Sequence, residues 1–483
     1  MAKENNVKKN YIYNLIYQIV VMILPLITTP YLSRVIGAEG IGIYSYTISI
    51  VTYFILFGSL GTAMYAQREI AYVQDDKLKR SKIFWETFLL RTVSLTISII
   101  LFYLTFASKG QYSIYYRILL LEILANIFDI SAFFQGMEEF KKVIKRNLII
   151  KIVSIISIFI FIKTEKDIGK YLLIYSLSTL IGNISLWFYL PNYVDKVKVK
   201  SLDIKRHIKP TVVLFIPQIA TQIYTVLDKT MIGSMVIDKA EVGYYEQSQK
   251  LVKLILTIVT SLGTVMLPRM ANKFASGKKE EIKENIVTSF NFVYFLSIPM
   301  CFGMVSIAKD LVPLFLGDGF EKSIYIIYVI CPIIVLIGLS NVIGIQYLLP
   351  TKRQKQYTLS VIMGAITNLV FNALFILNFK SIGAAIATTI AETVVTAVQM
   401  YFIKNEFDTK EILKMSLKYI IAGLIMFITI FLLNKTIFDN LSTISRMTLD
   451  ITIGIIVYLL GLFLLKDEFL IKNINRIKLR GSK

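Results

Sequence analysis

Apolar stretches of about 20 residues recur from one end of this chain to the other, separated by short polar loops. A helix of that length crosses a ~30 Å hydrocarbon core at ~1.5 Å per residue. In lipid a backbone must satisfy its own hydrogen bonds, as a helix or as a closed barrel. The stretches are continuous and do not alternate, which excludes a β-barrel. With 55% of its 483 residues hydrophobic, the chain has too little polar surface to cover a soluble fold of this size. It reads as an all-α polytopic membrane protein of about 14 transmembrane helices. The spans fall near 11–36, 41–66, 83–106, 113–137, 147–162, 170–191, 210–235, 242–268, 286–308, 322–349, 356–378, 382–403, 415–434 and 446–465.

The formal charge of +21 would suggest nucleic acid in a soluble protein. Here Lys and Arg gather in alternate loops, the longest being QREIAYVQDDKLKRSK (67–82) and NYVDKVKVKSLDIKRHIK (192–209). The positive-inside rule makes these loops cytoplasmic and places both termini on the same side. No nucleic-acid motif accompanies the charge, so no nucleic-acid partner is expected. Connections on the opposite side, such as GAEG (37–40), leave no room for an outer catalytic domain. Cys301 and Cys331 both fall in spans, which argues against a disulfide framework. The single histidine, His207, reads as a loop residue, so neither a His-based metal site nor a catalytic centre is expected. The polar start MAKENNVKKN precedes a span too long for a signal-peptide core, and the first helix is expected to be retained.

SLGTAM (59–64) and SLGTVM (261–266) differ at one position and lie 202 residues apart. At the same offset Glu39 maps to Glu241 and Thr87-Phe88 to Ser289-Phe290, while Ile36-Gly37 answers Ile232-Gly233 with SMVIDK added in the second copy. Several matches at equivalent places indicate duplication of a six-helix unit. Six is even, so the copies run parallel, related by an axis along the membrane normal, and a substrate path is expected between them. This gives an N-lobe over 1–200, a C-lobe over 201–408, both around a central cavity, and two further helices with a basic tail over 409–483. The small residues of the two strings suit close helix packing.

The segment NLIYQIVVMILPLITTPYLSRVIGAEGIGIYSYTISIVTYFILFGSLGTAMYAQREIA (14–71) resembles the opening of bacterial oligosaccharide flippases. These form the polysaccharide-transporter branch of the multidrug/oligosaccharidyl-lipid/polysaccharide exporter superfamily. FFQGMEEFKKVIKRN (133–147), LDKTMIG (227–233) and GIQYLLPTKRQKQY (344–357) are similar to that family's fourth, seventh and tenth helices. The resemblance covers essentially the whole chain, and its diffuse motifs identify the family better than the cargo. It implies alternating access in the bacterial cytoplasmic membrane and a polyprenyl-diphosphate-linked oligosaccharide moved from the inner to the outer leaflet. The polymer served would be capsule, O-antigen, exopolysaccharide or a teichoic-type chain. Implied partners are membrane lipid and the polymerase and glycosyltransferases of the same pathway, with the chain acting as a monomer.

A diphosphate crossing hydrocarbon needs cations facing a wet path, and ionisable residues inside spans cost several kcal/mol unless they have such a role or a partner. Lys250 and Lys253 share one face of the eighth span with Glu246. Arg91 lies in the third span and Lys229 in the seventh, beside Asp228. Arg91, Lys250 and Lys253 are the leading diphosphate contacts, followed by Lys229 and by Arg34, which snorkelling explains equally well. Lys151 also sits close enough to a span end to snorkel.

Glu122, Asp129 and Glu392, with Asp228 and Glu246, are candidates for a proton- or sodium-coupling site or for charge pairing. Glu122 and Asp129 stand seven residues apart, on one helical face, with Arg91 and Arg117 as expected partners. No other cofactor is expected. Gln18, Gln218, Gln222, Gln247 and Gln249 could bond sugar hydroxyls or join helices. Pro25, Pro30 and Pro217 are expected to bend their helices.

Three alternatives remain open. A cation-coupled multidrug exporter would favour an acidic path. A peptidoglycan-precursor flippase has nearly the same cargo chemistry. A membrane polysaccharide polymerase or glycosyltransferase is opposed by the short outer loops and the lack of an Asp-x-Asp pair.

Overall fold

The computed structural model describes the backbone of residues 2–473. It describes side chains from residue 23 onward, except those of residues 199, 216–218, 220, 221, 223, 264 and 265. Gln18, Gln218 and Pro217 therefore lie outside the described side chains. Among the described residues there is no strand. Contacts divide the chain into two compact units, Met1–Gly243 and Tyr244–Lys483.

The first unit holds α1 (Ala2–Ser59), α2 (Thr62–Tyr72), α3 (Lys77–Phe102), α4 (Ser113–Ile127), α5 (Ser131–Gly136), α6 (Phe140–Phe161), α7 (Ile168–Ser185) and α8 (Lys205–Met235). The second holds α9 (Ala240–Ala275) beyond its first turn, then α10 (Lys279–Leu316), α11 (Glu321–Ile330), α12 (Ile333–Ser340), α13 (Gln354–Ile403), α14 (Thr409–Thr436) and α15 (Thr443–Leu464). The fourteen expected spans fall on these helices, with α3, α7 and α12 continued by the π or 3-10 segments Tyr103–Ala107, Leu186–Asn192 and Asn341–Leu348. The compact division comes after α8, while the expected repeat boundary precedes it. The reason is local, because α8 packs against the second span, with Phe215 at Gly61 and Thr230 at Ser49 and Tyr53.

Where the helices break, the backbone gives the cause. The first two spans form one helix, α1, interrupted at Gly37 (φ 67°, ψ −179°), where glycine alone lacks the Cβ that opposes a positive φ. Pro25 and Pro30 lie inside α1 without a non-helical φ/ψ of their own; the joint is at Gly37. Spans eleven and twelve likewise merge in α13 across Lys380 (φ 52°, ψ −127°).

The second span breaks again at Leu60 (φ 49°) and Gly61 (φ 72°), so SLGTAM is a helix joint. SLGTVM runs unbroken through the middle of α9. Both strings nonetheless mark close approaches. A Cβ on Gly61 would lie 3.1 Å from Phe215 Cα, and one on Gly263 would strike the amide of Asn341. The fourth span breaks after Ile127, and Asp129 Oδ1 accepts from Ser131 N at 2.9 Å in the turn that precedes α5. Asp129 therefore lies past the end of α4, and the expected common helical face with Glu122 does not exist.

Inside the first unit Ile50, Val51, Leu95, Phe102, Leu119, Ile123 and Leu172 form an apolar core between α1, α3, α4 and α7. Ser98 Oγ donates to Phe54 O at 2.7 Å where α3 crosses α1, the small-residue contact typical of helices in lipid. In the second unit α10, α14 and α15 pack together, and Arg446 Nε reaches Asp310 Oδ2 at 2.8 Å. Large apolar side chains such as Ile97, Ile156, Ile366, Ile428 and Ile455 point outward, as a lipid-facing surface requires.

Candidate functional site

The break in the fourth span organises a charged interior of the first unit. Ending α4 at Ile127 strands main-chain carbonyls that a continuous helix would have used. Three side chains from other helices take them. Asn183 Nδ2 donates to Ala125 O at 2.7 Å, Trp187 Nε1 to Phe128 O at 2.8 Å, and Arg91 Nη1 to Asp129 O at 2.8 Å. Arg146 extends the node, with Nη1 on Asn183 Oδ1 at 2.6 Å and Nη2 on Ser131 Oγ at 2.7 Å.

Arg91 is only 7% exposed, and its Nε is buried without a hydrogen-bond partner. It borders a cavity of about 30 Å³ whose other walls include Thr62, Ala63, Thr87, Asp129 and Phe133. That space suits about one water and is far too small for a diphosphate. Arg91 and Asp129 are neighbours at this cavity, and the hydrogen bond between them goes to the main-chain carbonyl, whereas the expected pairing is with the carboxylate.

In the second unit Lys250 is half-buried and Lys253 exposed on α9. Lys253 Nζ donates to Gln249 Oε1 at 3.0 Å, Gln249 Nε2 reaches Tyr245 Oη at 3.2 Å, and Tyr245 Oη lies 2.9 Å from Thr388 Oγ1 of α13. Lys253 thus stands at one end of a polar chain that ties α9 to α13. Gln247 is buried, with its Oε1 unpartnered; Glu246 shares the helix and is half-buried. Glu392, on α13, is 7% exposed.

The remaining candidates are scattered. Arg34 is exposed and bonds the Pro30 carbonyl at 3.3 Å, the posture of a snorkelling side chain. Asp228 is buried on α8, with Lys229 and Gln222 half-buried. Glu122 is buried with its Oε2 unpartnered and Thr179 beside the other oxygen. The recorded bonds of Arg117, an expected partner with Arg91 for Glu122 and Asp129, run to the carbonyls of Ala107 (3.0 Å) and Ser108 (3.5 Å).

His207 corrects its expected place in a loop. It lies in the first turn of α8, 3% exposed, with Nδ1 2.7 Å from Tyr65 Oη and Nε2 2.7 Å from Glu86 Oε2. Arg206 pairs with the same carboxylate, and Asp203 N donates to Glu86 Oε1 at 2.7 Å. Upstream, Trp85 Nε1 donates to Asp195 O at 3.0 Å, and Arg80 Nη2 to Tyr193 O at 2.7 Å. The basic loop between the sixth and seventh spans is therefore strapped along α3. Sequence reasoning missed Glu86, Arg146 and Asn183; the first two were legible only as charges at span ends.

Comparison with known proteins agrees with this architecture. The family model described as polysaccharide biosynthesis protein matches residues 7–274, and the MatE model matches residues 214–374. The chain is 25% identical over 407 residues to an Escherichia coli K12 protein named "Putative O-antigen transporter", covering 83% of this chain and 97% of that one. It is 20% identical over 187 residues to the "Probable low-salt glycan biosynthesis flippase Agl15" of Haloferax volcanii, 39% of each chain. The solved structure of the lipid II flippase MurJ, in an inward closed conformation, superposes with a TM-score of 0.77 at 18% identity, over 95% of this chain and 99% of that one. The family match spans more than half of the sequence, and the chain belongs to the polysaccharide biosynthesis protein family.

Proposed function

We propose that this protein is a flippase for lipid-linked oligosaccharides, carrying a polyprenyl-diphosphate-bound repeat unit from the inner to the outer leaflet of the cytoplasmic membrane, with both termini inside. The observation that carries the reading is likeness in sequence, over 83% of this chain and 97% of the other, to the protein named "Putative O-antigen transporter", joined to the family match. Intramembrane cations support it. Lys250 and Lys253 stand on α9 at i, i+3, where point charges could meet a diphosphate, and Arg91 is a buried guanidinium in α3. In the conformation described, Arg91 serves the fold, and its contact with cargo would require the cavity beside it to widen.

Glu122 is the residue we favour for coupling to a proton. Its buried, half-satisfied carboxyl suits a site that takes up and releases one. Glycosyltransferases that build the repeat unit and a polymerase that consumes it are the partners this cargo demands.

The test is genetic and chemical together. In a host lacking its own flippase and supplied with the matching glycosyltransferases, the protein should restore surface polymer and clear lipid-linked repeat units from the inner leaflet. Persistence of those units at the level of the empty vector, with the protein present in the membrane, would refute the reading. The MatE match over 214–374 keeps a multidrug exporter as a second reading. Resistance to cationic dyes without any polymer export would select it.

A further inference from the structure

The internal repeat acquires a physical meaning where its two copies meet. Ala38-Glu39 and Ala240-Glu241 correspond at the offset of 202, and glycine follows shortly in each, at Gly42 and Gly243. In the structure these two glycines face each other reciprocally. A Cβ on Gly42 would strike the carbonyl of Lys239 and lie 3.1 Å from Gly243 N. A Cβ on Gly243 would strike the carbonyl of Ala38 and lie 3.2 Å from Gly42 N. Each glycine thus meets the carbonyl four residues before the other. Such reciprocity is expected where equivalent segments cross on the symmetry axis of a parallel duplication.

The crossing is backbone against backbone, with no side chain to yield. Both glycines are buried, and Val242 beside them is 0% exposed. Behind the crossing, the second span and α8 stay in contact. The Tyr46 ring packs against Gly233, where a Cβ would strike a ring carbon. Thr230 Oγ1 lies 2.9 Å from Ser49 Oγ and 3.2 Å from Tyr53 Oη. Lys239 stands 5.3 Å from the Tyr46 ring centre, its Nζ capping the carbonyls of Val236 (2.8 Å) and Ile237 (3.2 Å) at the end of α8.

We propose that the Gly42–Gly243 crossing is the outer gate of the transport path, closed in this structure. Its separation, with the Tyr46–Gly233 and Ser49–Thr230 contacts behind it, releases cargo to the outer leaflet. The placement at the outer side rests on the topology given under the proposed function. Glycine is needed at both positions because a closed gate made of bare backbone excludes even water-sized gaps.

Two measurements test this in a chain with Cys301 and Cys331 replaced by alanine. A reporter cysteine, Tyr53→Cys, is challenged in whole cells with a membrane-impermeant maleimide from outside. Gly42→Val or Gly243→Val should speed labelling about tenfold, the response to loss of ~1.4 kcal/mol from the closed state. Unchanged labelling in variants that reach the membrane in normal amount would overturn the gate.

The second measurement stands if the valine variants fail to accumulate. Ser49→Cys with Thr230→Cys places two thiols within bonding range. Oxidation should stop polymer export and reduction restore it; export that continues with the disulfide formed would overturn the gate. Faster labelling of the valine variants in a chain that never exports polymer supports the gate while refuting the flippase reading.

Discussion

Arg91 Nη1 holds the main-chain carbonyl of Asp129 at 2.8 Å, across 38 residues of sequence, and so closes a gap that the break in the fourth span opens. A buried guanidinium used in this way is a structural member first. Arg91→Ala should lower stability by about 2 kcal/mol, the usual worth of a hydrogen bond to a charged group. Arg91→Lys should recover part of it. Thermal unfolding of the detergent-purified protein, followed by size-exclusion chromatography, measures both. An Arg91→Ala protein as stable as the parent but inactive would make the residue a cargo contact only.

Lys250 and Lys253 are the opposite case. They are less buried, and the recorded partner of Lys253 is a neutral amide on its own helix. Replacing both by alanine should leave unfolding nearly unchanged and reduce polymer export strongly. Charge-preserving Lys→Arg changes should retain most of it. Comparing surface polymer per molecule of membrane protein gives the result.

The Glu86–His207–Tyr65 contact fastens the first turn of α8 to α2 and α3. His207→Ala leaves Tyr65 and Glu86 short of a buried partner, at a cost of about 1–3 kcal/mol. Limited proteolysis should then cut the loop at 196–206 sooner than in the parent. His207→Gln, which can bond in both directions, should lie between the two.

Glu122→Gln keeps shape and removes the titrating proton. If Glu122 carries the coupling proton, export by this variant should no longer respond to an imposed pH gradient, while folding is preserved. A gradient response equal to that of the parent would place coupling elsewhere.

The helices were legible because lipid allows one solution for an apolar run of this length, whatever its sequence. Their breaks were not. Phe128-Asp129-Ile130 sits inside an apolar run, and Asp129 looked like a helical neighbour of Glu122. Its carboxylate instead bonds Ser131 N in the turn between the two helices. Leu60-Gly61 breaks the second span although the nearly identical string in α9 stays helical, so the six residues of the string do not by themselves decide the break. His207 was misplaced because its partners lie 142 and 121 residues away. For the candidate site, charge inside spans identified the right helices but could not separate structural cations from exposed ones. Arg91 and Lys253 look alike in sequence and differ only in what the fold gives them as partners.

The most direct measurement is translocation by the purified protein. A polyprenyl-diphosphate oligosaccharide is built into the inner leaflet of proteoliposomes, and an impermeant glycosidase outside reports its arrival. The account predicts that cleavage proceeds past the fraction initially exposed, and that it does so much more slowly with the oxidised Ser49→Cys/Thr230→Cys protein. Cleavage that stops at that fraction, as in protein-free vesicles, would contradict it.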